Sequence, residues 1–223
     1  MAGLRRRRFF RWTTSFWRKR PGAGVLAILL VANAARGAFW ESSPSDLRTD
    51  GIGGGFRAGT ESLSLEAGGD YGLTILGSRE GHDLTLVNLG YGHMLDNVMG
   101  SGHWYGGNGE GRIELFGGSQ FSPNPAWVVG LTPMLRYDLA TETRWVPFID
   151  GGAGVTATEI RLPDLSNTFE FNIQGGLGFQ WFTRYNLALT FEARYFHLSD
   201  AGITHPNFGV NGAAGMIGLT WFF

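Results

Sequence analysis

The sequence predicts an all-β protein, an eight-stranded antiparallel transmembrane β-barrel of the bacterial outer-membrane kind, and three observations carry that expectation. From Glu61 onward apolar and polar residues alternate with period two, the mark of strands with one apolar face. Eight such segments can be marked, each ten or more residues long; that length is unusual in a soluble domain but matches a tilted membrane strand, and the count is even. Aromatic residues such as Trp127, Tyr137, Trp145, Trp181, Tyr185 and Trp221 fall near segment ends, where an interfacial girdle needs them.

A chain of 223 residues suits one domain and a leader. Residues 1–38 hold nine of the eighteen Lys and Arg and none of the nineteen acids, and include an apolar run after Arg20. That run is shorter than the ~20 residues that span a bilayer as a helix, so residues 1–38 are expected to be a secretory signal peptide, with A-x-A-like cleavage sites at Ala32 and Ala34 and at Ala38. Without them the chain carries nine positive against nineteen negative charges, about −10 with histidine neutral, which excludes the basic footprint of a nucleic-acid binder. The absence of cysteine excludes disulfides, thiolate chemistry and a lipid-modified cysteine anchor. Residues 39–60 are polar and glycine-rich without an apolar period and are expected to be flexible, leaving 61–223 for the barrel.

The first strand is expected over Ser62–Leu76, with Leu63, Leu65, Ala67, Tyr71, Leu73 and Ile75 on one face and Ser64, Glu66, Asp70 and Thr74 on the other. The second covers His82–His93, the third Glu110–Phe121, the fourth Ala126–Asp138 and the fifth Arg144–Ala157. The sixth, Thr168–Trp181, alternates most clearly; the seventh is Tyr185–Ser199 and the eighth Val210–Phe223. In a membrane barrel the apolar face points out, so Arg112, Glu114, Arg136, Glu170, Glu192 and Arg194 point inward and are expected to pair as a plug of salt bridges rather than line a channel. Gly152, Gly154, Gly176, Gly178 and Gly218 relieve crowding on that inner face. With both barrel ends in the periplasm, Thr158–Asn167 and Asp200–Gly209 are outer loops, while Met94–Gly109 is long for an inner turn. His82, His93 and His103 are scattered without ligand spacing, and Asp200 and His205 read as ordinary loop residues.

On the seventh strand the odd-numbered residues are apolar, and His197 and Ser199 continue that lipid-facing set; on the eighth strand Asn211 shares it. Polar groups on the outside of the wall are costly unless they lie at headgroup level or have work to do. Two residues apart on one strand face brings an imidazole within reach of a hydroxyl, and Asn211 lies on the neighbouring strand. A serine hydroxyl needs a base, and the base works best when a third group fixes its tautomer; Ser199, His197 and Asn211 fit those roles in order.

The run His197-x-Ser199-x-x-Gly202-x-x-x-Pro206-Asn207-x-Gly209-x-Asn211, followed by an apolar strand ending in Phe223, resembles the signature of the PagL-type lipid A 3-O-deacylases, also called acyloxyacyl hydrolases. Pro147-Phe-Ile-Asp-Gly-Gly-Ala-Gly154 and Phe169-x-Phe-x-x-Gln-x-Gly176 are similar to that family too. The resemblance implies a barrel that removes the ester-linked 3-hydroxyacyl chain from lipid A of lipopolysaccharide in the outer leaflet. His197 would be the base and Ser199 the nucleophile, and the Asn207 side chain with the Gly202 N–H would form the oxyanion hole; no metal or cofactor is implied. The best-known members carry Glu where this chain has Asn211. The terminal Leu219-Thr-Trp-Phe-Phe223 resembles the assembly signal of outer-membrane barrels, which makes membrane lipids and the barrel-assembly machinery partners; a homodimer is left open. The alternatives are a non-enzymatic barrel of the OmpA or OmpW kind and a phospholipase or acyltransferase barrel using the same serine.

Overall fold

Side chains on an extended backbone project alternately to the two faces, so a strand that alternates in polarity must find two different media. The structure, a computed structural model, describes residues 56–141 and 143–223. The expected signal peptide and most of the segment expected to be flexible lie outside the described residues. Eight strands follow one another: β1 Glu61–Gly72, β2 Asp83–Met94, β3 Gly107–Ser122, β4 Ala126–Leu139, β5 Trp145–Thr158, β6 Phe169–Arg184, β7 Leu187–Ser199 and β8 Val210–Phe222. Each pairs antiparallel with the next, and β1 pairs with β8 from Ser62↔Phe222 to Gly72↔Gly212, which closes the barrel.

The polarity is inverted relative to a soluble barrel. Leu65, Val87, Ile113, Leu135, Ile149, Leu177 and Ile217 are exposed on the outer wall, whereas Glu66, Glu110, Arg112, Arg136, Asp150, Glu192 and Arg194 are buried inside. Inside, Arg112 bonds Glu110 and Glu114, Arg136 bonds Asp150 and Glu192, and Arg194 bonds Glu114 (2.6 Å), Glu192 (2.5 Å) and Gln174 (2.9 Å). The guanidinium forks also satisfy neighbouring polar groups, Ser64 accepting from Arg112 at 2.9 Å. Small residues make room: a Cβ on Gly176 would stand 2.5 Å from Glu192 Oε1. Two apolar clusters flank this ionic layer. Phe56, Met94, Val146, Phe182, Ala188 and Phe222 fill the end where β1 begins and β8 ends, and Leu84, Leu86, Phe116, Phe196, Leu198 and Met216 belong to the cluster in the other half.

Four expectations are corrected. Glu170 does not join the salt-bridge plug; its carboxylate has no hydrogen-bond partner. It lies four residues, about 13 Å along the strand, from Gln174, where the guanidinium layer sits. The first strand ends at Gly72, because Leu76 and Gly77 turn at positive φ although Leu73 and Ile75 keep up the alternation. Residues 56–60 are built into the barrel: Phe56 donates its N–H to Asn108 Oδ1, accepts from Asn108 Nδ2, and stacks on Phe222 at 4.6 Å between ring centres. The long β2–β3 connection is partly a continuing hairpin, with a bridge between Met99 and Gly107.

Arg194 neutralises two carboxylates that water does not reach. Arg194→Ala is therefore expected to cost the barrel about 3–5 kcal/mol, because it leaves Glu114 with Arg112 alone and Glu192 with Arg136 alone and removes one of the three cations of a buried layer. The urea midpoint of the purified barrel in detergent measures this. A change under about 1 kcal/mol, the size of an exposed ion pair, would show that the layer does not hold the fold.

Candidate active site

The last hairpin places the three sequence-predicted residues together. His197 on β7 and Asn211 on β8 are direct cross-strand partners, and Ser199 lies one position further along the same face of β7, opposite Phe171 of β6. His197 Nε2 lies 3.1 Å from Ser199 Oγ, and His197 Nδ1 lies 2.8 Å from Asn211 Oδ1. Ser199 and His197 are partly exposed, and their β6 neighbours Phe171 and Ile173 are exposed on the same wall.

Asn211 points outward in the alternation of β8 yet is only 1% exposed, because the β1–β2 connection folds over it. Leu73 donates its N–H to the Asn211 carbonyl at 2.7 Å, and Asn211 Nδ2 donates to the Ile75 carbonyl at 2.9 Å. A carbonyl can only accept, so this bond fixes which way round the amide sits. Oδ1 then faces His197, whose Nδ1 must carry the proton, and Nε2 is left with a free lone pair toward the serine hydroxyl. That is the tautomer a general base requires. Tyr195 completes the arrangement by donating its hydroxyl to the same Oδ1 at 2.5 Å. Alternation alone places Tyr195 among the odd-numbered apolar wall residues of β7; its shared parity with His197 is the signal that could find it.

The loops around the site are tied to one another. Asp164 in the β5–β6 loop is fully buried and accepts the Arg79 N–H at 2.6 Å, the Glu80 N–H at 3.0 Å and His82 Nε2 at 2.9 Å, while its backbone carbonyl accepts the Phe208 N–H at 2.8 Å. His82 also meets Gln120 at 2.8 Å, so one of the scattered histidines proves to be a buried strut. The Arg79 guanidinium stacks on the Phe208 ring at 4.0 Å. Gly209 has φ +78°, and a Cβ there would stand 3.0 Å from His197 Cε1, so glycine is needed both for the turn and for the imidazole.

The β7–β8 loop carries the two residues expected to hold an oxyanion, and neither bonds to Ser199 here. The Gly202 N–H is donated to Asp200 Oδ1 at 2.9 Å, and the Asn207 Oδ1 is enclosed without a partner. Asp200 organises the loop: it also accepts the Thr204 N–H at 2.8 Å and the Thr204 hydroxyl. Burial works against its charge, but the hydrogen bonds from the Thr204 hydroxyl and N–H and from the Gly202 and Ile203 N–H groups outweigh it and hold the carboxyl below its ordinary value.

The model of a protein family described as lipid A 3-O-deacylase (PagL) matches residues 85–220. Among solved structures the chain is similar to the outer membrane enzyme PagL, at 19% identity and a TM-score of 0.52, covering 70% of this chain and 97% of that one. It is also similar to Neisserial surface protein A, at 12% identity and a TM-score of 0.53, covering 74% and 98% respectively. At these identities the structures speak for the barrel fold alone. No curated protein matches the sequence.

The lowered Asp200 value has a direction in pH. Its contribution to loop order is present above the unfolded carboxylate value, near ~3.9, and is lost as pH falls through the lower folded value. Asp200→Asn is therefore expected to speed amide exchange at Gly202 and Thr204 near neutral pH, with the difference from wild type vanishing in strong acid. Equal exchange at neutral pH would show that the carboxylate does not hold the loop.

Proposed function

This chain belongs to the lipid A 3-O-deacylase (PagL) family, whose model covers more than half of it, and from that premise we propose that it is an outer-membrane serine esterase. It removes the ester-linked 3-O-acyl chain of lipid A with Ser199 as nucleophile, His197 as base and Asn211 as the group that orients the base. The observation that carries this reading is the chain of contacts from Ser199 Oγ through His197 to Asn211 Oδ1; the Ile75 bond to Asn211 Nδ2 argues for the imidazole proton on Nδ1.

The steps follow from that geometry. His197 Nε2 takes the Ser199 proton as Oγ attacks the ester carbonyl, and the imidazolium then returns the proton to the departing sugar oxygen. The acyl group is now on Ser199. Water, deprotonated by the same imidazole, releases it as a free fatty acid and restores the serine hydroxyl. We keep Asn207 and Gly202 as donors to the oxyanion. The Asn207 amide makes no hydrogen bond that holds it elsewhere, whereas the Gly202 N–H must turn from Asp200 as negative charge builds on the substrate oxygen.

The position of the site suits a lipid ester. Ser199 and His197 open onto the wall that carries Phe171 and Ile173, so an acyl chain already in the membrane meets the nucleophile without leaving the apolar phase. This favours an outer-membrane location for the enzyme and lipopolysaccharide as its substrate.

Mass spectrometry of lipid A from cells expressing wild type, His197→Ala and Ser199→Ala tests the proposal. Wild type is expected to remove one hydroxyacyl chain, and each variant to lose several orders of magnitude in rate. Lipid A unchanged in all three, with the barrel folded, would favour a non-enzymatic barrel.

A further inference from the structure

Three groups meet the Asn211 side chain, and one of them, the Ile75 carbonyl, has a fixed hydrogen-bonding sense because it only accepts. The Tyr195 hydroxyl and His197 Nδ1 could each do either, but both lie on Oδ1, which can only accept once Nδ2 is given to Ile75, so both donate. An amide offers one accepting atom and one donating group on these two sides. We propose that the Ile75 carbonyl and Tyr195 form a lock that demands an amide at position 211, with Tyr195 a positioning residue for His197; a carboxylate there would not support the reaction in this chain. The inference rests on the esterase reading above and deepens it.

The lock works through orientation. Turning the Asn211 amide over would set its oxygen against the Ile75 carbonyl oxygen at about the present 2.9 Å and its NH2 against His197 Nδ1. The imidazole would then accept at Nδ1 and carry its proton on Nε2, where it could no longer take one from Ser199. The Ile75 bond therefore decides the tautomer two bonds away. Donation from Nδ2 to Ile75 also polarises the amide and makes Oδ1 a better acceptor for His197. Tyr195 occupies the second lone pair of Oδ1, so that atom has no other direction in which to swing.

A carboxylate breaks the arrangement at one point. One oxygen can accept from Tyr195 and His197, but the other faces the Ile75 oxygen with no proton between them, at a position 1% exposed. Burying an ion against a lone pair is resisted, and the relief is movement of the loop or uptake of a proton; a protonated acid would imitate the amide, so the loss belongs to the ionised form that prevails near neutral pH. A glutamate, one methylene longer, must either press on that loop or withdraw from His197.

The test uses the full-length protein in detergent with lipid A as substrate, comparing wild type, Tyr195→Phe, Asn211→Asp and Asn211→Glu. Each barrel is first shown to be folded by its gel mobility before heating. Tyr195→Phe is expected to lower kcat about tenfold, the worth of one hydrogen bond, with KM unchanged. Asn211→Asp and Asn211→Glu are both expected to fall at least about tenfold below wild type near neutral pH. Activity of either acidic variant at or above wild type overturns the lock, as does a wild-type kcat in Tyr195→Phe. Nitrogen-15 spectra of histidine-labelled protein, with the His197 signal identified by its loss in His197→Gln, read the tautomer independently of activity. The expected ring is protonated on Nδ1 in wild type and mixed in Tyr195→Phe; an Nε2-protonated ring in wild type overturns the proposal. If wild type leaves lipid A intact, the esterase reading fails, and the spectra still judge the lock.

Discussion

The pairing of β1 with β8 is the constraint from which the rest of the structure follows. In a hydrocarbon medium an unpaired strand edge has no water to turn to, so the sheet must close on itself. Eight strands close around a space only wide enough for side chains, and those side chains must satisfy one another. Three arginines and the carboxylates of Glu110, Glu114, Asp150 and Glu192 pair in one connected layer, in which Arg112 Nε, Arg136 Nη1 and Asp150 Oδ1 are left without a hydrogen-bond partner. Glycines stand where a Cβ would overlap them, as at Gly176 beside Glu192. The Phe56 ring, packed on Phe222, then covers the end where the first and last strands meet.

Closure also makes the outer wall a place where a polar group is conspicuous. Ser199, His197, Asn211 and Tyr195 stand on the wall itself, and loops hold Asn211 from outside it. The β1–β2 connection supplies the Ile75 carbonyl to Asn211, and Asp164, from the β5–β6 loop, pins that same connection through Arg79, Glu80 and His82. It also holds Phe208, next to the glycine that touches His197. Three loops far apart in sequence thus converge on one imidazole.

Much of this was legible in the sequence because alternation is transmitted along a strand without loss. Parity alone put His197, Ser199 and Asn211 on one face, and the register then made His197 and Asn211 direct partners. The same parity included Tyr195, but an aromatic residue on a lipid-facing wall has an ordinary reason to be there, which hid its hydroxyl. Parity gives the face and not the depth, so Glu170 was assigned to a layer it does not reach. Leu73 and Ile75 kept the alternation past the end of β1, where Gly77 turns the chain at positive φ. The Ile75 carbonyl has no sequence signature at all, since every residue offers the same atom. His82 and Asp164 are 82 residues apart, and no local pattern announces a contact of that range.

The amide at position 211 fits the medium the site works in. Asparagine carries no charge, so an almost fully covered Asn211 costs little desolvation, where a carboxylate would need a cation that its neighbours Ile75 and Tyr195 do not supply. In the proposed reaction an imidazolium and an oxyanion would form together a few ångströms apart and attract one another. The amide gives the imidazolium less electrostatic help than a carboxylate would, but it fixes the tautomer equally well once its orientation is held from outside. In a membrane wall, orientation supplied by the Ile75 carbonyl and the Tyr195 hydroxyl takes the place of a charge that the surroundings would resist.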